Sequence, residues 1–342
     1  MPKGFLLDVS YVGNSAQHIA SGLDNPEQLP ISDQVQYGAA TLNAQLNSVA
    51  GVASGVAAPF PNFIADLGGN ATVRQALRKF PQYTGINEIK QNNGHSNYNS
   101  LQGRLQRQFH NGLSVLTSFT WAKQMSTAED EISQFNDGPM DTYSREGEYT
   151  TALDQPPLNL TVTYDYQLPI GYQKKWLNHG IAATVLGGWA VAGIHHYQSG
   201  TALFETSIPN GLAIFNDLLR SNYVPGVSEK GTWSGKFNPR IDHYINAAAF
   251  KDPAPNTFGN VSRDLPLRSM AYLDEDLSAR KDFHIYESSA LQFRTDFFNA
   301  FNRSQFMDIF TDTNPGDGVN FGKDGHQGNN PRTIQLSLKL LF

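Results

Sequence analysis

Eight segments of this 342-residue chain alternate apolar and polar residues, and the connections between them are alternately short and very long. Successive side chains of a strand point to opposite faces, so alternation with period two gives a strand with one apolar and one polar face. The clearest case is "LNLTVTYDYQL", where Leu158, Leu160, Val162, Tyr164, Tyr166 and Leu168 share one face and Asn159, Thr161, Thr163, Asp165 and Gln167 the other. The closing "IQLSLKLLF" sets Ile334, Leu336, Leu338, Leu340 and Phe342 against Gln335, Ser337 and Lys339. "LSVLTSFTW" sets Leu113, Val115, Phe119 and Trp121 against Ser114, Ser118 and Thr120; it follows "NYNSLQGRLQRQF" across the tight turn His110, Asn111, Gly112 and reads as a hairpin. "YLDEDLSARKDFHIY" and "ALQFRTDFF" form a second hairpin across Glu287, Ser288 and Ser289, and "GFLLDVSYVG" and "GGWAVAGIHHYQSG" complete the set. Strands are expected near residues 4–13, 97–109, 113–122, 158–168, 188–198, 270–286, 290–301 and 332–342.

The connections at 110–112, 169–185 and 287–289 are short or moderate, whereas those at 14–96, 123–157, 201–268 and 302–330 are long. Strict alternation of the two kinds in an up-and-down antiparallel sheet puts every long loop at one end and every short turn at the other, the asymmetry of outer-membrane barrels. Soluble domains seldom carry structureless loops of such length. The fold class expected is therefore all-β: an antiparallel up-and-down transmembrane β-barrel portion of about eight strands, with long loops on one side and short turns on the other. Within the longest loop, "LNAQLNSVAGVASGVAAPF" and "NATVRQALRKF" are expected to form short helices, the second capped by Asn70 or Thr72. The 201–268 loop is rich in Pro, Gly and Asn and is expected to be irregular.

Composition removes several alternatives. A net charge of −6 leaves no basic surplus to neutralise phosphates, so nucleic acid is not an expected partner. With zero cysteines, disulfides, thiolate metal sites and a cysteine nucleophile are excluded. No apolar run reaches the roughly 18 residues of a membrane helix, a test that barrel strands pass unseen. The start "MPKGFLLDVSYVGN" is interrupted by Asp8 and lacks a small-residue cleavage site, so no signal peptide is expected in this chain.

No residue pattern points to chemistry. His195 and His196 are adjacent and must face opposite ways on a strand, which prevents joint chelation of one metal. The acidic runs "DTYSREGEYTTALD" and "AEDE" (128–131), and the Asp312, Asp317 and Asp324 set in a glycine-rich loop, lack calcium-loop spacing and read as solvated loops. No phosphate-binding glycine motif or nucleophile elbow occurs, so no catalytic, cofactor-binding or metal residues are expected and the chain is not read as an enzyme. The aromatics fit a membrane better. Tyr11, Trp121, Tyr164, Tyr166 and Trp189, together with Tyr98 and Tyr197, lie on or near strand ends, where interfacial belts collect rings that are apolar at one end and wet at the other. The opposite faces carry Asp8, Gln102, Arg104, Gln106, Asp165, Arg280, Arg294, Asp296 and Lys339, as a wet lumen would. Glu275 conflicts with this scheme: the register aims it at lipid, unless its strand starts later or slips.

Six blocks in one order, "KFPQYTGI", "NYNSLQGRLQRQFHNGLSVLTSFTWAK", "LGGWAVAGIHHYQSG", "NAAAFKDPAPNTFGNVSRD", "LQFRTDFFNAFNRSQF" and "PRTIQLSLKLLF", resemble the C-terminal barrel region of Oar-like TonB-dependent outer-membrane receptors of the acidobacterial type. The resemblance covers most of the chain, read as residues 1–342 of the C-terminal part of such a barrel. It implies a Gram-negative outer-membrane location, ligand uptake, and partners in outer-membrane lipid and in the plug domain and remaining strands of a receptor of about 22 strands. It further implies that the TonB complex acts only through the full-length protein, and that Phe342 is the C-terminal aromatic read during barrel assembly. The alternative is a soluble or surface-attached β-rich module for adhesion or glycan binding, whose apolar faces would bury each other in a sandwich.

Overall fold

A computed structural model describes residues 4–21, 24–88, 91–128, 139–152, 155–172, 174–204, 211–216, 219–286, 289–306, 319–323 and 327–342. In chain order its strands are β1 (Phe5–Ile19), β2 (Gly94–His110), β3 (Leu113–Ser126), β4 (Thr150–Thr151), β5 (Leu158–Gln167), β6 (Trp189–Gln198) and β7 (Ala202–Phe204). There follow β8 (Asn222–Tyr223), β9 (Phe250–Lys251), β10 (Asp264–Arg268), β11 (Tyr272–Tyr286), β12 (Ser289–Phe298) and β13 (Thr333–Leu341). The helices are α1 (Ile31–Leu42), α2 (Val49–Ala53), α3 (Phe63–Leu67), α4 (Val73–Ala76) and α5 (Gly180–Leu186).

The alternating segments form the long strands of one sheet, in the order β1-β2-β3-β5-β6-β11-β12-β13, with the two-residue β4 beside β3. Every neighbouring pair is antiparallel, so the sheet is an up-and-down meander. Among the described residues β1 and β13 are not paired with each other, and the sheet ends in two open edges. The register fixes the faces, because directly paired residues point the same way. Tyr11 pairs with Leu101, Leu101 with Trp121 and Trp121 with Leu158, one row of the apolar face. Asp8 pairs with Arg104 and Arg104 with Ser118 on the polar face. No second sheet covers the apolar face among the described residues, as a sandwich would require.

Strands β1, β2 and β3 run 15, 17 and 14 residues, beyond the roughly 9–11 that cross a bilayer. The excess lies on the long-connection side. Past the Tyr11–Leu101–Trp121 row the same face turns polar, at Gly13, Ser15 and Gln17 of β1, Asn99 and Asn97 of β2 and Lys123 of β3. Hydrophobic alternation stops there while pairing continues, and for this reason the sequence pattern ends these strands early. One glycine has a packing reason. A Cβ on Gly193 would lie 2.7 Å from the Tyr164 ring, because Tyr164 pairs with Gly193 and lays its ring across that bare backbone.

The apolar core sits in the long connections, not in the sheet. One cluster joins Leu29, Leu42, Leu46, Phe63, Ala71 and Val73 of the first long connection to Ala213 and Ile214 of the third. A second joins Leu203, Tyr244, Ile245, Ala249, Phe250, Val261 and Leu265 of the third to Phe321 of the fourth. A small third cluster sets Met140 of the second long connection against Leu219 of the third. The third connection is thus the hub of a packed cap over one end of the sheet. Its irregular backbone agrees with the Pro, Gly and Asn content, but these residues bury one another instead of lying in solvent. The short helices α2 and α4 have the side-chain caps expected of such turns: Ser48 accepts from the Gly51 amide and Thr72, not Asn70, from that of Gln75. Helix α1 has no clear sequence signal, because its buried face is partly polar: Gln34 and Leu42 are buried while Val35 is exposed. Gln34 donates to Asn256 Oδ1 and accepts from the Ala213 amide, which ties α1 to the hub.

Candidate functional site: the polar face, the outer rim and the cap

The polar face holds Asp8, Gln102, Arg104, Gln106, Asp165, Arg280, Arg294, Asp296 and Lys339, each at a register position of that face. A cavity of about 700 Å³ opens along it, lined in part by Gln106, Asp165, Asp276, Ser278, Arg294 and Asp296. Arg280 donates to both oxygens of Asp165, at 2.7 and 3.2 Å, although β6 lies between their strands. The bridge is possible because β6 places only Ala190 and Ala192 on this face beneath it. Arg294 holds Asp296 two residues along at 2.9 Å, and Gln292 donates to Asp282 across the β11–β12 pair at 2.9 Å. Charges of both signs, largely self-paired and open to water, suit a hydrated wall better than a single-ligand pocket. Asp276 lines the same cavity but was hidden in "LDEDLSARKD", where charged residues on both faces obscure the alternation.

All five belt aromatics lie on the apolar face. Tyr11 and Trp121 stand exposed at its long-connection boundary, while Tyr166 and Trp189 lie half-buried at the short-connection end. Tyr164 lies one pair inward from Tyr166 and stacks on His195, ring centroids 5.6 Å apart. Trp189 meets Phe293 edge-on at 6.3 Å. Phe342 follows β13 and is 96 % exposed. Tyr197 is on this face, but Tyr98 is not: it pairs with Asn14 and Gln124 on the polar side. Tyr98 has the parity of Gln102, Arg104 and Gln106 within β2, which sets it on their face.

Glu275 points to the apolar face in an unbroken register that starts at Tyr272, so the strand neither begins late nor slips. The carboxylate is fully buried, and Arg303 Nε donates to both its oxygens at 2.9 and 3.1 Å. The turn after β12 brings Arg303 there: the Ala300 amide donates to the Glu275 carbonyl, and Gln305 caps the Leu273 carbonyl. Lys281, also on the apolar face, is buried beneath α5 and donates to the Thr184 and Val185 carbonyls at 2.7 and 2.6 Å. The two charges that β11 places on this face, Glu275 and Lys281, are therefore each held by partners at its rims. His195 and His196 fall on opposite faces, paired with Glu275 and Asp274 respectively.

In the cap, two members of the acidic run, Asp141 and Glu148, are held by partners, while Glu146 stays exposed. Asp141 accepts from Gln28 at 2.6 Å, and buried Glu148 accepts from Arg220 at 2.7 and 3.3 Å and from the Met140 amide. Arg220 also donates through Nε to the Val261 carbonyl. Arg78 stacks 3.4 Å from the Phe215 ring centroid, opposite Glu27, and donates to the carbonyls of Tyr83 and Thr84. Burial lowers the pKa of Arg78, and neighbouring Glu27 opposes that shift; burial likewise raises the Tyr244 phenol. Of "AEDE", residues 129–131 lie outside the described residues, as do Asp312, Asp317 and Asp324. No group of three or more His, Asp or Glu side chains with metal-binding geometry occurs among the described residues.

A family model described as an outer membrane beta barrel domain aligns with residues 1–335. No curated protein matches the chain.

Proposed function

The chain belongs to the outer membrane beta barrel domain family and is therefore a protein of the outer membrane; from that premise we propose that it forms part of the wall and the ligand-facing cap of an Oar-like TonB-dependent receptor. The observation that carries this reading is the meander whose two edges are unpaired among the described residues, roofed on one side by four long connections that share apolar clusters. An eight-stranded barrel closes by pairing its first and last strands, whereas open edges fit a wider barrel whose other strands pair with β1 and β13. The role is transport or binding, without catalysis. The cap meets ligand first, and the charge-mixed polar face contacts a plug and the water around it. Coupling to TonB runs through that plug and not through these strands.

An epitope inserted between Gly68 and Gly69, which a Cβ would meet no neighbour to obstruct, allows the species containing these residues to be recovered from outer membranes. Cross-linking of that species to TonB in energised cells is the expected result. Recovery of a closed barrel of this chain alone, with no TonB cross-link, would overturn the transporter reading and leave a plain outer-membrane barrel.

A further inference from the structure

The moderate connection between β5 and β6 spans residues 168–188. It is too long for a hairpin turn, and its apolar side chains turn outward: Tyr172, Trp176, Leu177, Ile181, Val185 and Leu186 are all exposed, Ile181 at 84 %. It is nonetheless well built. The Gly171 amide donates to the Trp176 carbonyl and the Trp176 amide to the Pro169 carbonyl. Ala183 is buried, and Gly171 and Gly187 touch so closely that a Cβ on either would lie 2.5 or 2.4 Å from the other's Cα. Lys281 reaches from the apolar face to the last carbonyls of α5, with its ammonium 4.8 Å from the Phe283 ring. A buried lysine at that place pins α5 to the lipid-facing side of the sheet, at the short-connection end.

We propose that residues 170–172 and 174–188 form an interfacial anchor that lies in the periplasmic leaflet, with its exposed apolar side chains among acyl chains and Lys174 and Lys175 on the phosphates of anionic phospholipid. Two observations name a lipid surface as the occupant. The exposed side chains continue the apolar face of β5, β6 and β11, which outer-membrane family membership sets against lipid. The two lysines stand directly beside Trp176, the pairing of basic headgroup contact and amphipathic ring typical of interfacial segments. Short connections mark the periplasmic end of such barrels.

The absence of cysteine makes a direct test simple. Ile181→Cys, Leu338→Cys and Val49→Cys each carry an environment-sensitive fluorophore on the full chain, reconstituted in vesicles of phosphatidylethanolamine and phosphatidylglycerol. Quenching by lipids with a nitroxide high on the acyl chain is expected at position 181 and, on the sheet wall, at 338; the cap position 49 is quenched only by iodide in water. In K174E/K175E the partition of the segment around 181 into lipid, read by this quenching, should fall by about 25-fold or more, since each basic residue contributes roughly fivefold near an anionic surface. Quenching of 181 by iodide alone, with 338 still lipid-quenched, would overturn the anchor and point to water or a periplasmic protein as its neighbour. Loss of lipid quenching at both positions would instead contradict the membrane placement of the sheet itself.

Discussion

Replacing Arg220 by methionine is expected to open the cap while the sheet stays paired. The guanidinium satisfies buried Glu148 with two bonds and the Val261 carbonyl with a third, and so links the second long connection to two stretches of the third. Removing one member of a buried pair strands the other charge, at a cost of about 3–5 kcal/mol. That corresponds to roughly 10²–10⁴-fold more frequent opening of the cap. Limited proteolysis of reconstituted protein reads it: cleavage within residues 139–152 and 211–265 should accelerate while β11–β13 remain protected. Combining R220M with Glu148→Leu should recover most of the loss, since an apolar pair of similar volume needs no partner charge. Equal protease sensitivity of R220M and the parent chain would mean that the long connections do not form one packed unit.

The second large effect separates a membrane wall from a soluble surface. Leu338 lies near the middle of β13, pairs with Phe293 and is exposed. If lipid covers it, Leu338→Arg should cost about 2–4 kcal/mol. On a water-exposed surface the same change would fall within about 0.5 kcal/mol. Ser337→Arg, one residue away on the polar face beside Arg294, supplies the control and should cost little. Urea midpoints of the three proteins refolded into bilayers give the comparison.

The wall was legible in the sequence because its physics is local. In β5 every second residue is apolar and the register follows without ambiguity, from Leu160 opposite Tyr197 to Tyr166 opposite Val191. The cap was not legible, for three physical reasons. Its core joins distant connections, as when Leu29 meets Ile214 and Phe250 meets Phe321, and no local period reports such contacts. Its buried groups include Gln34, Glu27, Glu148 and Arg220, residue types that read as solvated until their partners are seen. The outer parts of β1 and β2 continue pairing after the membrane-facing alternation ends, so the sequence pattern stops short of the outer ends of these strands. Glu275 shows the opposite case: the sequence register was correct, and the missing fact was Arg303, 28 residues away. A charge on a lipid-facing position was therefore a sign of a local partner and not of an error in register.

The central claim is that β13 and its neighbours present one face to lipid and the other to water. It is tested most directly by placing a single cysteine in turn at residues 334 to 341, attaching a nitroxide, and measuring collisions with oxygen and with a water-soluble nickel complex in bilayers. The account predicts period two: lipid-like exposure at Ile334, Leu336, Leu338 and Leu340, and water-like exposure at Gln335, Ser337, Lys339 and Leu341. Uniform access to the nickel complex at all these positions would contradict it.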